Sequence, residues 1–225
     1  MSTHTDSIHS PNLAHHFDDP NQQYESATLG MWAFLATEVL FFGGMFAAYS
    51  VYRQTYPLGF AEGSHHLDVV LGTINTGVLL LSSLTMALAV HAAQTGERKA
   101  ASWLLVATIV LGSMFLGIKV VEYKHKIDHH LVPGRAFVLE HPHFEDVDPR
   151  HAQLFYSFYF TMTGFHALHM IIGVAVVGVL TWQSWQGRFS PEYYTPVEMT
   201  GLYWHFVDIV WVFLFPLLYL IDLQQ

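Results

Sequence analysis

The chain has 225 residues and a formal net charge of −9, with 52% hydrophobic and only 12% charged side chains. A soluble domain carries about 25% charged residues, so half that value cannot coat a water-facing surface, and the acidic excess excludes the clustered Lys and Arg of a nucleic-acid partner. The absence of cysteine excludes disulfides, thiolate metal sites, iron–sulfur clusters and a Cys-bridged copper centre, and the 16 histidines outnumber Lys and Arg together.

Residues 1–28 contain no Lys or Arg and have no apolar core. They lack the basic start and apolar middle of a signal peptide and are expected to form a polar tail ahead of a membrane domain over 29–223. Five apolar blocks follow, at about 29–52, 69–91, 100–123, 154–182 and 200–221. A bilayer core of about 30 Å needs about 20 helical residues, whereas soluble helices average about 11 to 12. The blocks therefore predict an all-α integral membrane bundle of five transmembrane helices.

The connections differ. Pro57 and Gly59 fall between blocks one and two, and the tight turn Thr95-Gly96-Glu97-Arg98-Lys99 joins two and three. A long loop rich in His, Pro and acids separates three and four, and Pro191 and Pro196 lie between four and five. The His runs of the long loop, His125 to His130 and His141-Pro142-His143, have the composition of metal tracts; solvated or partner-contacting loop residues are the plainer reading. Trp103, Trp182, Trp185, Tyr193, Tyr194, Tyr203 and Trp204 stand at block ends, where an interfacial aromatic belt belongs. Gly43, Gly44, Gly164, Gly173 and Gly178 are candidates for close helix approach.

Ionisable groups inside a membrane are costly and point to function. Glu38 lies roughly 12 to 13 Å into the first block at 1.5 Å per residue. His205 and Asp208 share a face of the last block, and His166 and His169 share a face of the fourth. By depth, Glu38, His169, His205 and Asp208 fall in one polar layer. Haem or metal ligation, a transporter's proton or ion path, lipid or partner contact, and plain interhelix hydrogen bonding at about 1 kcal/mol each or less all compete for it. Lys119 and Glu122, at the far end of the third block, are placed to snorkel.

Several segments are recognisable. Tyr203-Trp204-His205-Phe206-Val207-Asp208-Ile209-Val210-Trp211 closely resembles the last-helix signature of haem–copper oxidase subunit III. Thr163-Gly164-Phe165-His166-Ala167-Leu168-His169 resembles a second family segment, with Ala167 where Gly is usual, and Thr37-Glu38-Val39-Leu40-Phe41-Phe42 resembles the one with the buried glutamate. Asn75-Thr76, Gly96-Glu97-Arg98-Lys99 and Glu122-Tyr123 follow in family order.

The resemblance implies a bacterial five-helix subunit III without the two-helix arm of the seven-helix forms. It implies no catalytic, cofactor-binding or metal-binding residues in this chain, with haem and copper held by partner subunits. The implied partners are oxidase subunits I and II, a small subunit IV and phospholipids. Glu38 matches the family's proton-linked carboxylate. Glu38, Glu122, His166, His169, Trp204, His205 and Asp208 match positions for lipid or subunit I contact. A nitric oxide reductase partner and an independent transporter are the alternatives.

The implied location is the bacterial cytoplasmic membrane, with the N-terminus in the cytoplasm and the C-terminus outside. Loop charge alone points weakly the other way. Arg98, Lys99 and Arg188 lie on the side of the N-terminal tail, against Arg53, Lys124, Lys126, Arg135 and Arg150 on the other.

Overall fold

The structure is a computed structural model and describes residues 17–134, 137–139, 142–144 and 147–220. The described residues form α1 (Pro20–Thr55), α2 (Pro57–His65), α3 (Val69–Gln94), α4 (Arg98–Asp128), α5 (Pro149–Trp185) and α6 (Thr195–Tyr219). All except α2 are long and apolar enough to cross a membrane. The shortest of these, α6, has 25 residues, or about 37 Å at 1.5 Å per residue.

The five expected blocks are the cores of α1 and α3–α6, and each helix runs past its apolar block at one or both ends. α1 begins at Pro20 rather than at Leu29, so the last residues of the expected polar tail are helical. Pro20 is preset for the first helical position, and the Asp19 side chain accepts from the Gln22 N–H at 2.8 Å. Residues 1–16 of that tail, with Arg135 and His141 of the long loop and Ile221 at the end of the last block, lie outside the described residues. Asp68 caps α3 at 2.9 Å, and Asp148 with Pro149 starts α5. Gly96 and Gly187, at φ 80° and 75°, make the turns after α3 and α5 that other residues enter only with strain.

Helices α3, α4, α5 and α6 pack in a ring, each against the next and α6 back against α3. α1 stands outside this ring and rests mainly on α6, so most of its surface is left for lipid or a partner. α2 was not expected. It folds against the start of α5, where Gly59 and Gly63, one helical turn apart, leave room for His151 and Phe155.

Of the glycines expected to admit close approach, only Gly173 does so, against Trp204 and Tyr203; Gly43, Gly44, Gly164 and Gly178 have open space where a Cβ would stand. The close approaches inside the ring are at Gly72, Gly112, Gly173 and Gly201. Pro216 lies inside α6, and side chains from α1 and α2 cap the carbonyls that follow it. Tyr49 donates to Leu217 O, and Ser64 donates to Leu218 O at 2.8 Å.

Candidate functional site: polar groups inside the bundle

Two of the expected residues meet between α1 and α5. His169 Nδ1 lies 2.8 Å from the Phe165 carbonyl oxygen, and its Nε2 lies 3.2 Å from Glu38 Oε2. A carbonyl oxygen only accepts, so Nδ1 carries a hydrogen. The Nε2–Oε2 contact then needs one more proton, carried either by the carboxyl or by the imidazole. The Glu38 and His169 side chains are 18% and 14% exposed. Phe42 packs edge-on to the His169 ring at 5.4 Å, and Tyr203 donates to the His169 carbonyl at 2.9 Å.

The other half of the expected layer faces elsewhere. His205 Nδ1 is 2.7 Å from Ser83 Oγ on α3. Asp208 is buried, and both of its carboxyl oxygens lack a well-formed hydrogen bond; Ser83 is within its electrostatic reach but is engaged by His205. The four residues therefore share a depth but not a site. They form an α1–α5 pair and an α3–α6 group on different sides of α6, because depth does not fix rotation about a helix axis.

The densest polar group is one that sequence reasoning misjudged. Lys119 and Glu122 do not snorkel: they are 5% and 4% exposed, inside the ring. Lys119 Nζ donates to Glu122 Oε2 at 2.9 Å and to the Tyr219 hydroxyl at 2.6 Å. Glu122 Oε1 accepts from Tyr159 at 2.7 Å and from Tyr219. The ammonium also stands 4.5 Å from the Trp211 ring. Every charge here is paired and hydrogen-bonded, the condition under which buried ions persist. The i,i+3 spacing of Lys119 and Glu122 was visible in the sequence; that Tyr159 and Tyr219 close over them was not.

His166 is buried between Phe115 and Trp211, with ring centroids at 5.4 and 5.2 Å, and neither ring nitrogen has a hydrogen-bond partner among the described residues. Trp204 is fully buried and donates to Ser82 Oγ at 3.0 Å. With Tyr203 also buried, these two leave the expected aromatic belt, whereas Trp103, Trp182 and Trp185 are exposed as a belt requires. Glu122, His166, Trp204 and Asp208 are enclosed by their own chain, whereas Glu38, His169 and His205 are partly exposed.

The end of the bundle near α2 holds two more charges that sequence reasoning did not single out as interior. Glu62 is fully buried and accepts from the backbone N–H groups of His143 and Phe144 at 3.0 Å. Lys126 is buried and donates to the His66 carbonyl. These contacts tie α2, α4 and the long loop together.

The family profile described as cytochrome c oxidase subunit III matches residues 14–129 and 150–222, leaving 130–149 in the long loop unmatched. The chain is 32% identical over 206 residues to cytochrome c oxidase subunit 3 of Thermostichus vulcanus, covering 91% of this chain and 92% of that protein. It is 30% identical over 209 residues to cytochrome bo(3) ubiquinol oxidase subunit 3 of Pseudomonas aeruginosa, covering 92% and 91%. It is also 30% identical over 207 residues to quinol oxidase subunit 3 of Bacillus subtilis, covering 89% and 92%.

Proposed function

Because the chain belongs to the cytochrome c oxidase subunit III family, we propose that it serves a proton-pumping haem–copper terminal oxidase as a non-catalytic, cofactor-free subunit. In this reading it stabilises subunit I, supports proton uptake and binds phospholipid. Its partners are subunits I and II and a small subunit IV. It lies in the bacterial cytoplasmic membrane with its N-terminus in the cytoplasm. Oxygen reduction and donor oxidation belong to the partner subunits, so the role is the same for a cytochrome c or a quinol oxidase.

The observation that carries the proton-linked part is the Glu38–His169 pair. It sets two ionisable groups 3.2 Å apart at the seam of α1 and α5, largely but not fully covered by the bundle. A carboxyl and an imidazole at that distance can take up or pass on a proton when a neighbouring subunit does so. His205, on the other side of α6 and bound to Ser83, offers a second polar point for a partner or lipid headgroup.

The test uses the assembled oxidase. Glu38→Gln keeps a donor for His169 Nε2 and removes the ionisable proton, so the complex assembles normally, while proton uptake slows and turnover-dependent inactivation comes sooner. An assembled Glu38→Gln oxidase with unchanged proton uptake and lifetime would remove the proton-linked role. Reporter fusions at each terminus check the orientation: a fusion at the N-terminus that is active only outside the cell contradicts it.

A further inference from the structure

The intramembrane sites leave unused the histidines at the end of α4. His125 and His129 are four residues apart and so share one face of the last helical turn. Their ring centroids are 4.3 Å apart, and both side chains are exposed. Together with His66, Lys126 and Leu131 they line a pocket of about 150 Å³. His66 reaches it from the C-terminal cap of α2, and the Lys126 ammonium, donating to the His66 carbonyl, clamps that cap against α4.

The His66 ring is already set for coordination. Its Nδ1 lies 3.1 Å from the Glu62 carbonyl oxygen, which only accepts, so Nδ1 carries the hydrogen and Nε2 of the neutral ring keeps its lone pair. The buried Glu62 carboxylate stands 3.6 Å from the same Nδ1. A hydrogen bond from one ring nitrogen to a backbone carbonyl fixes the tautomer and the ring orientation, as in metal-site histidines. His129 is also the C-cap of α4, where the helix dipole favours a cation.

The geometry points to a divalent transition-metal site of the zinc class at the C-terminal end of α4, with His125 and His129 as a chelating pair and His66 Nε2 as third ligand. Imidazole nitrogens select zinc-like ions over calcium or magnesium, which take oxygen ligands. Among the described residues no three such groups already stand as a metal-ligand set. Capture therefore works by rotation of the exposed His125 and His129 side chains toward the fixed His66, with water completing the shell. The charge of Lys126 opposes a cation, but its ammonium is committed to the His66 carbonyl and lies within electrostatic reach of Glu122 and Asp68.

Equilibrium dialysis of the purified complex containing the full chain against radioactive zinc tests the site. The double variant His125→Gln/His129→Gln holds one tight zinc equivalent fewer than the parent complex. His66→Gln holds that zinc more weakly by at least the roughly 10-fold that loss of a group merely supporting a ligand costs, while His130→Gln, in the same run but outside the pocket, binds as the parent does. Zinc also protects His125 and His129, but not His130, from carbethoxylation in the unaltered complex, a readout that requires no variant to assemble. The site is overturned by an isotherm for the double variant that superimposes on the parent, by an equal loss in His130→Gln, or by an absence of protection.

Discussion

Lys119 has its ammonium in contact with one carboxylate, one phenol and one indole face, all inside the ring of α3 to α6. Removing one member of such a group leaves its partner charged and dry, which costs about 3–5 kcal/mol, whereas removing both charges costs less. Lys119→Met therefore lowers the stability of the detergent-solubilised chain by about that amount in thermal or denaturant unfolding, and Lys119→Met/Glu122→Leu recovers part of it. A single variant as stable as the parent would mean that the Glu122 carboxylate is not held by Lys119. At Glu38 the contrast is between isostere and hydrocarbon. Gln retains a hydrogen bond to His169 Nε2, while Leu leaves that nitrogen unpartnered at the α1–α5 seam. Glu38→Gln thus leaves complex yield unchanged and Glu38→Leu lowers it, as read from the amount of chain co-purified with its oxidase. Glu38, His169 and His205 were legible as polar residues at one depth of the membrane. Their pairing was not, because a hydropathy pattern gives depth along a helix and says nothing of rotation about it. Glu62 and Lys126 escaped notice for a related reason: both lie in stretches that read as loop or helix end, and only the folding of α2 onto α5 encloses them.

The elements divide into a closely packed ring and a loosely attached α1. Within the ring, α4 and α5 approach the Trp204 ring so closely that a Cβ at Gly112 would stand 2.7 Å from Trp204 Cη2, and one at Gly173 3.1 Å from Cζ3. The indole has little freedom to yield, since its N–H is bonded to Ser82 Oγ. Gly112→Ala is accordingly expected to cost about 1–3 kcal/mol, the usual penalty of overpacking, and to lower the midpoint of thermal unfolding followed by circular dichroism. Gly44→Ala, with open space around it, leaves the midpoint unchanged; an equal loss in both variants would contradict the packing described. The spans themselves were legible, since five apolar blocks of bilayer length cannot be soluble helices. Their ends were less so. Asp19, Asp68 and Asp148 extend or start helices through side-chain caps, and a hydropathy window passes over such residues as polar loop. The glycines show the same limit. A small residue permits close approach, but which one is used depends on which face meets a large aromatic, and Trp204 selects Gly112 and Gly173.

At the scale of the molecule, the few charges of the chain are placed economically. The spanning helices present apolar surfaces, among them Leu29, Leu40, Val51, Val70, Trp103 and Val120, and the Lys119 and Glu122 charges inside the bundle are enclosed and paired. Among the described residues, His66, His125 and His129 gather at the loop-side end, where their pocket is independent of the Glu38–His169 pair. The long loop that holds His143 against Glu62 lies in residues 130–149, which the family profile leaves unmatched. The central claim is that such a bundle works as the third subunit of a haem–copper oxidase. It is tested most directly by purifying the tagged full chain from native membranes in mild detergent, then recording the carbon monoxide difference spectrum and the subunit composition. The account predicts a carbon monoxide-reactive haem and a haem–copper subunit I in stoichiometric yield with the chain. A chain that purifies in quantity without any haem protein bound would contradict it.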